Sequence, residues 1–75
     1  MVMNPQILEL IQSFESDAKN QKDKYHQFLV FIYLTFDNRI SRIKTDKLKD
    51  KYKQMRKSIL QYVSVHKKEI IKELR

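Results

Sequence analysis

Residues 25–43 read YHQFLVFIYLTFDNRISRI, and this stretch decides the fold. Tyr25, Phe28, Leu29, Ile32, Phe36, Ile40 and Ile43 recur at three- and four-residue spacing, an unbroken helical period with no Gly or Pro inside it. At about 100° per residue, Val30, Phe31 and Leu34 fall on the opposite side of the same helix. A helix that is apolar on two faces must bury both. In a bundle of three helices the second face calls for a crossing helix or another chain. Val30, Phe31 and Leu34 are therefore expected to form a self-association surface. The apolar run inside the stretch, Phe28 to Phe36, is nine residues with one Thr, well short of the about 20 that a bilayer span takes. It predicts a buried helix segment and no membrane span. Asp37-Asn38 is the one place where an early end to this helix is an alternative.

Working towards the N-terminus, Lys19 to Lys24 (KNQKDK) contains no apolar residue and predicts a loop, with the central helix starting near Asp23. Before it, Asn4-Pro5 reads as an N-cap followed by proline at the first helical position, where the missing N–H costs nothing. Ile7, Ile11, Phe14 and Ala18, with Leu10 beside them, predict a first helix over about residues 5–18. Glu9 and Glu15 face away from that stripe. Working towards the C-terminus, Thr45 or Asp46 can cap a third helix, and no breaker follows. Leu48, Tyr52, Met55, Ile59, Val63, His66, Ile70 and Leu74 form one stripe. A single helix of about 29 residues would be roughly 43 Å long. It would overhang the first helix, and the overhang is a second reason to expect a homo-oligomer.

Composition agrees with this reading. The chain of 75 residues has no Gly and one Pro, whereas hairpin turns, bulges and left-handed caps all favour Gly. The expectation is one all-α domain over residues 1–75, a small helical bundle or extended helical hairpin of three helices with a long C-terminal helix and no strands. A core of this size rarely supplies more than roughly 3–5 kcal/mol and usually needs a staple. There is no Cys, so disulfides are excluded and a partner subunit is the expected staple. MVMNPQILELIQ lacks the basic start and continuous apolar core of a signal peptide. A cytoplasmic address is the default expectation.

Charge divides the chain. Residues 1–38 carry three Lys against five acids, while residues 39–75 carry thirteen Lys or Arg against four acids. A basic half implies an anionic partner or partner surface. The segment Arg39 to Lys57 is the strongest lead. Lys49, Lys53, Arg56 and Lys57 lie along one flank of the third helix, and Lys44, Lys47 and Lys51 along the other. Such flanks can meet phosphates, where each contact releases counterions and makes binding salt-dependent. They are also what keeps any amphipathic helix soluble. Twelve of the sixteen basic residues are Lys, which suits point-charge contact better than bidentate base reading by Arg. Non-specific nucleic-acid contact or an acidic protein partner is favoured over sequence-specific DNA recognition. Tyr25, Tyr33, Tyr52 and Tyr62 sit on or beside apolar stripes, which favours core roles over base stacking.

Chemistry finds little support. His26 and His66 are the only histidines, and neither a Cys nor a converging carboxylate set completes a metal site. Ser13, Ser16, Ser41, Ser58 and Ser64 have no activating partner, and the Gly-dependent phosphate and nucleophile loops are absent. Asp46 and Asp50 are one helical turn apart among lysines, which reads as surface ion pairing. No catalytic residue, cofactor, metal or small-molecule substrate is expected, and the chain is not read as an enzyme.

From Tyr33 to Lys51 the chain runs YLTFDNRISRIKTDKLKDK. This resembles the central motif of the Hha/YmoA-type nucleoid modulators at Tyr33, Asp37, Arg39, Lys47, Leu48, Asp50 and Lys51, with Ile40 and Ile43 in place of leucines. Asn38 and Lys49 depart from the motif's His and Tyr, Tyr52-Lys53 replaces its Ile-Pro, and the family's C-terminal Trp has no counterpart. The resemblance implies a small helical protein that binds the dimerisation domain of H-NS-type DNA-bridging proteins, with Asp37 at that contact. Two readings of function follow. The first is a regulatory adaptor or inhibitor acting by protein–protein contacts through an oligomeric bundle. The second is a nucleic-acid-associated protein touching phosphates non-specifically or through an H-NS-type partner. Asp37, Arg39, Lys49, Lys53, Arg56 and Lys57 are the candidate partner or phosphate contacts.

Overall fold

The central helix forms as its periodicity requires. In the computed structural model, which describes residues 4–74, it is α2 (Gln21–Arg42), preceded by α1 (Pro5–Ser13) and followed by α3 (Asp46–Val65) and α4 (Lys67–Glu73). The described residues are all-helical, without a strand. There are four helices where the sequence predicts three, and each difference has a physical cause.

α1 starts as expected: the Asn4 side chain accepts the Gln6 N–H at 2.8 Å, with Pro5 at the first position. It ends at Ser13 rather than near residue 18. Phe14 is extended, with its N–H on the Ile11 carbonyl at 3.2 Å. The following Glu15-Ser-Asp-Ala-Lys-Asn is rich in side chains that bond their own backbone, and Ser16 Oγ accepts the Ala18 N–H at 3.1 Å. Packing reinforces the break. Phe14 meets Phe28 edge-on at 5.2 Å and Phe31 at 5.5 Å, contacts worth about 0.5–1.5 kcal/mol each beyond burial. Ser16 Oγ donates to the Gln27 side chain and ties the segment along α2.

α2 begins at Gln21, earlier than the polar run suggests. Asn20 accepts the Asp23 N–H at 2.8 Å and donates to the Asp23 carboxylate at 2.9 Å, a reciprocal cap that turns two polar residues into a helix start. The helix runs through Asp37-Asn38 and stops at Ile43, with Arg39 and Arg42 in its last turn, where cations complement the helix dipole. Thr45 is the N-cap of α3, without a side-chain cap bond, and Asp46 lies in the first turn.

The long C-terminal helix is broken at His66, whose backbone (φ −103°, ψ 34°) leaves the helical region. Hydrogen bonding survives on both sides: His66 N–H reaches the Tyr62 carbonyl and Ile70 N–H the His66 carbonyl, each at 3.0 Å. A straight helix would carry Ile70 and Leu74 past the bundle. The bend returns α4 to α2 and buries both residues in the core with Ile7, Phe28, Ile32 and Val63. The expected overhang is thus absorbed within the chain, and it no longer argues for a second subunit.

No polar side chain is buried among the described residues. The radius of gyration is 13.0 Å, against about 11 Å for a compact chain of this length. Extents of 39 × 27 × 16 Å explain the excess. Helices pack about 8–10 Å apart on a backbone radius of about 2.3 Å, so the 16 Å thickness accommodates two helical layers and not three.

Candidate interaction face

α2 and α3 run antiparallel, as one contact at mid-helix and one at the start of α2 fix. The Arg56 guanidinium lies 4.4 Å from the centroid of the Tyr33 ring, and Lys67 Nζ, just past α3, lies 5.1 Å from that of Tyr25 near the start of α2. The helix pair has two sides. α1 covers one of them, with Leu10 and Ser13 beside Phe31 and Phe36 of α2 and Met55 and Ile59 of α3. The other side is a shallow open groove walled by Tyr25, Leu29, Val30 and Tyr33 from α2 and by Leu60 and Ser64 from α3.

The groove is apolar in the middle and cationic along one edge. On α3, Lys49, Lys53, Arg56, Leu60 and Ser64 follow one another at three- and four-residue spacing and so share the face that Leu60 and Ser64 place on the groove. On α2 the corresponding stripe is His26, Val30, Tyr33 and Asp37. Arg56 is held from both directions. It stacks on Tyr33, and its Nη1 lies 3.7 Å from Asp37 Oδ1, a cation–π contact joined to an ion pair. That is the only ion pair among the described residues, so the lysines of α3 have no carboxylate partner there. Burial pushes the Tyr25 hydroxyl above its ordinary pKa.

The candidate residues named from the sequence divide between the two sides. Asp37, Lys49, Lys53 and Arg56 lie on the open side. Arg39 belongs to the α1 side, close to Gln6 and Glu9. Lys57 is exposed, three residues before Leu60 on the outer flank of the same face. The expected association patch divides too. Val30 and Leu34 are exposed at 47% and 55%. Phe31 is half-buried, stacked over Phe28 at 6.4 Å and covered by Phe14, so the chain itself supplies the partner that Phe31 was expected to find elsewhere. Sequence reasoning misses the part played by Leu29, Tyr33, Leu60 and Lys67. The stripe Lys53-Arg56-Leu60-Ser64 is the available signal, since its charged flank is continued by an apolar residue.

His26 is exposed on α2, and the His66 ring lies 4.4 Å from Tyr62 at the α3–α4 bend. Among the described residues no three His, Cys, Asp or Glu side chains are grouped as metal ligands. No helix among them is long and apolar enough to cross a membrane. A cleft between the start of α1 and α3 is lined by apolar (Ile7, Met55, Ile59) and polar (Lys51, Gln54, Ser58) side chains alike, and a further concavity lies at the start of α3 beside Thr45, Leu48 and Asp50. Comparison with protein-family models, with curated proteins and with solved structures finds no match to this chain.

Proposed function

We propose that this chain is a small non-enzymatic adaptor or inhibitor that acts through protein–protein contacts on the open α2/α3 face. One observation carries the reading. The core is closed by the chain's own residues, yet Val30, Tyr33 and Leu34 stay about half exposed side by side on α2. Apolar side chains grouped next to a finished core, rimmed by charge, are the usual mark of an interaction surface. The resemblance to the Hha/YmoA motif is in keeping with this, since Tyr33 and Asp37 lie on that face and the Asp37 side chain is 60% exposed. Self-association remains part of the proposal only through Val30 and Leu34, because Phe31 is occupied.

The test is quantitative affinity capture from the native cell with the wild-type chain and with Val30→Asp/Leu34→Asp. Proteins held by the first and lost by the second, with unchanged helicity and melting temperature, support the reading. Equal capture by both overturns it.

A second reading has its own support. The lysines of α3, on both flanks, are free of ion pairs among the described residues, and a helix so charged can meet phosphates without sequence preference. Gel-shift titration across a range of salt separates the two readings, because only phosphate binding gives a log–log slope of about −0.9 per contact on duplex DNA.

A further inference from the structure

We infer that the occupant of the open face is an acidic amphipathic helix of a different protein, lying in the groove with its carboxylates along α3; this rests on the adaptor reading above and specifies its partner. Three features of the face argue for it.

The first is charge. Arg56 and Lys67 flank the groove on the α3 side, and Lys53 and Lys49 continue the same face beyond Leu60 towards Asp46; across from them Asp37 is already engaged with Arg56. The α2 side presents His26, Val30, Tyr33 and Leu34, with Lys22 at its N-terminal end as the one cation of that stripe. The field is therefore one-sided. A partner with acids on a single flank matches it, and complementarity of this kind sets both orientation and encounter rate.

The second is shape. The apolar floor runs along two antiparallel helices, and from Tyr25 to Tyr33 it extends about 12 Å at 1.5 Å per residue. That length takes about two turns of a helix presenting apolar anchors at i, i+3 or i+4, and i+7. The molecule is two helical layers thick, so a docked helix supplies a third layer over the groove and meets Leu29, Val30 and Leu60 with its anchors.

The third is what the other occupants would face. A second copy related by a two-fold axis places the same patch on itself. However the axis is set, each copy then brings an excess of cations over carboxylates to the contact. A nucleic acid finds the centre of the groove aliphatic, which phosphates cannot dehydrate favourably. The Tyr33 ring is already stacked by Arg56 at 4.4 Å, so one of its two faces is closed to a base.

The test uses the full chain, labelled with nitrogen-15, and three synthetic helical peptides of about 14 residues. All three share a Leu stripe at helical spacing. One carries Glu on a single flank, one carries Lys there and one carries Gln. Amide shifts and fluorescence anisotropy report site and affinity. The Glu-flanked peptide is expected to shift Leu29, Val30, Tyr33, Lys53 and Leu60 and to bind about tenfold tighter than the Gln peptide, with Lys49→Gln/Lys53→Gln removing most of that difference. Thermal melts of the variant establish that it is folded. Equal binding by all three peptides at this face overturns the acidic partner but leaves the adaptor reading standing. Absence of any shift at this face for every peptide overturns both. Duplex DNA that shifts the same residues more tightly than the Glu peptide replaces the proposal with the nucleic-acid reading. A dimeric mass at about 100 µM that Val30→Asp makes monomeric assigns the face to a second copy and also overturns it.

Discussion

Phe31→Ala and Val30→Ala differ by one position on one helix, and the structure assigns them opposite consequences. Phe31 is half-buried under Phe14, 5.5 Å away, and stacks on Phe28 at 6.4 Å. A fully buried Phe→Ala change costs about 3–5 kcal/mol. Half that burial, together with removal of the ring that Phe14 and Phe28 pack against, gives about 2 kcal/mol. For a domain of this size such a loss lowers the melting temperature by roughly 8–16 °C. Val30 is 47% exposed with its side chain on the open groove, so Val30→Ala should stay within about 0.5 kcal/mol of wild type. Urea unfolding followed by circular dichroism at low micromolar concentration gives both numbers. A double-mutant cycle with Phe14→Ala should add a coupling of about 0.5–1.5 kcal/mol between Phe14 and Phe31. The packing of residues 14–18 onto α2 is refuted if Phe31→Ala costs less than Val30→Ala, or if the cycle shows no coupling.

Other outcomes follow from the same geometry. Ile70→Ala should cost about 2–5 kcal/mol because Ile70 is fully buried, while Val65→Ala, one residue before the bend and 71% exposed, should be close to neutral; equal melting temperatures would show that α4 does not close the core. Asn20→Ala should cost about 1 kcal/mol and speed amide exchange in the first turn of α2, since Asn20 accepts the Asp23 N–H. Asp37→Asn should leave stability within about 1 kcal/mol, the usual range for an exposed ion pair, and a larger loss in chemical denaturation would point to a structural role. Burial holds the Tyr25 hydroxyl above its ordinary 10.0, so its contribution is intact below pH 10 and is lost as pH rises through the folded value; in alkaline denaturation Tyr25→Phe should remove that part of the decline.

How much of this is legible in the sequence depends on the element. The stripe of α2 is largely readable, because Tyr25, Phe28, Ile32, Phe36 and Ile40 sit at helical spacing and all are buried, while Leu29 and Ile43 of the same stripe stay partly exposed. The Asn4-Pro5 start is readable because a cap is a local interaction. The ends of α1 and α3 are not, and for one reason. Phe14, Ile70 and Leu74 keep helical phase with the stripes before them, so periodicity extends each helix past its true end. What stops α1 is the gain from placing Phe14 between Phe28 and Phe31, and what bends α3 is the gain from burying Ile70 and Leu74. Both are tertiary contacts, and a one-dimensional pattern does not contain them. The error at Phe31 descends from the error at Phe14: with residues 14–18 taken as helix, nothing in the chain is left to cover the far side of α2. The basic flank of α3 is readable as charge, but its alignment with Leu60, Tyr33 and Asp37 depends on how α2 and α3 pair, which only the folded chain specifies.

The open face is a consequence of how short the covering elements are. A pair of helices of 22 and 20 residues presents two sides of comparable length. The chain has one helix of nine residues and one of seven with which to cover them. α1 lies along the side of Phe36 and Met55, and α4 folds back to seal Ile70 against α2. The opposite side could have been made polar throughout, which would have satisfied solubility. Instead Leu29, Val30, Tyr33 and Leu60 run through its centre, while cations gather on the α3 edge, against one cation (Lys22) and one carboxylate (Asp37) on the α2 edge. Solubility alone does not call for that asymmetry, since the net charge of +7 would serve equally well spread around the surface. An apolar floor with a one-sided cationic edge is what an oriented partner requires: the floor supplies the affinity, and the edge decides which way round the partner lies. Reversing the edge while keeping the floor, by Lys49→Glu/Lys53→Glu, should therefore exchange the preference between Glu- and Lys-flanked peptides without changing where either one binds. If the preference is unmoved, the edge has no part in recognition and the argument from asymmetry fails.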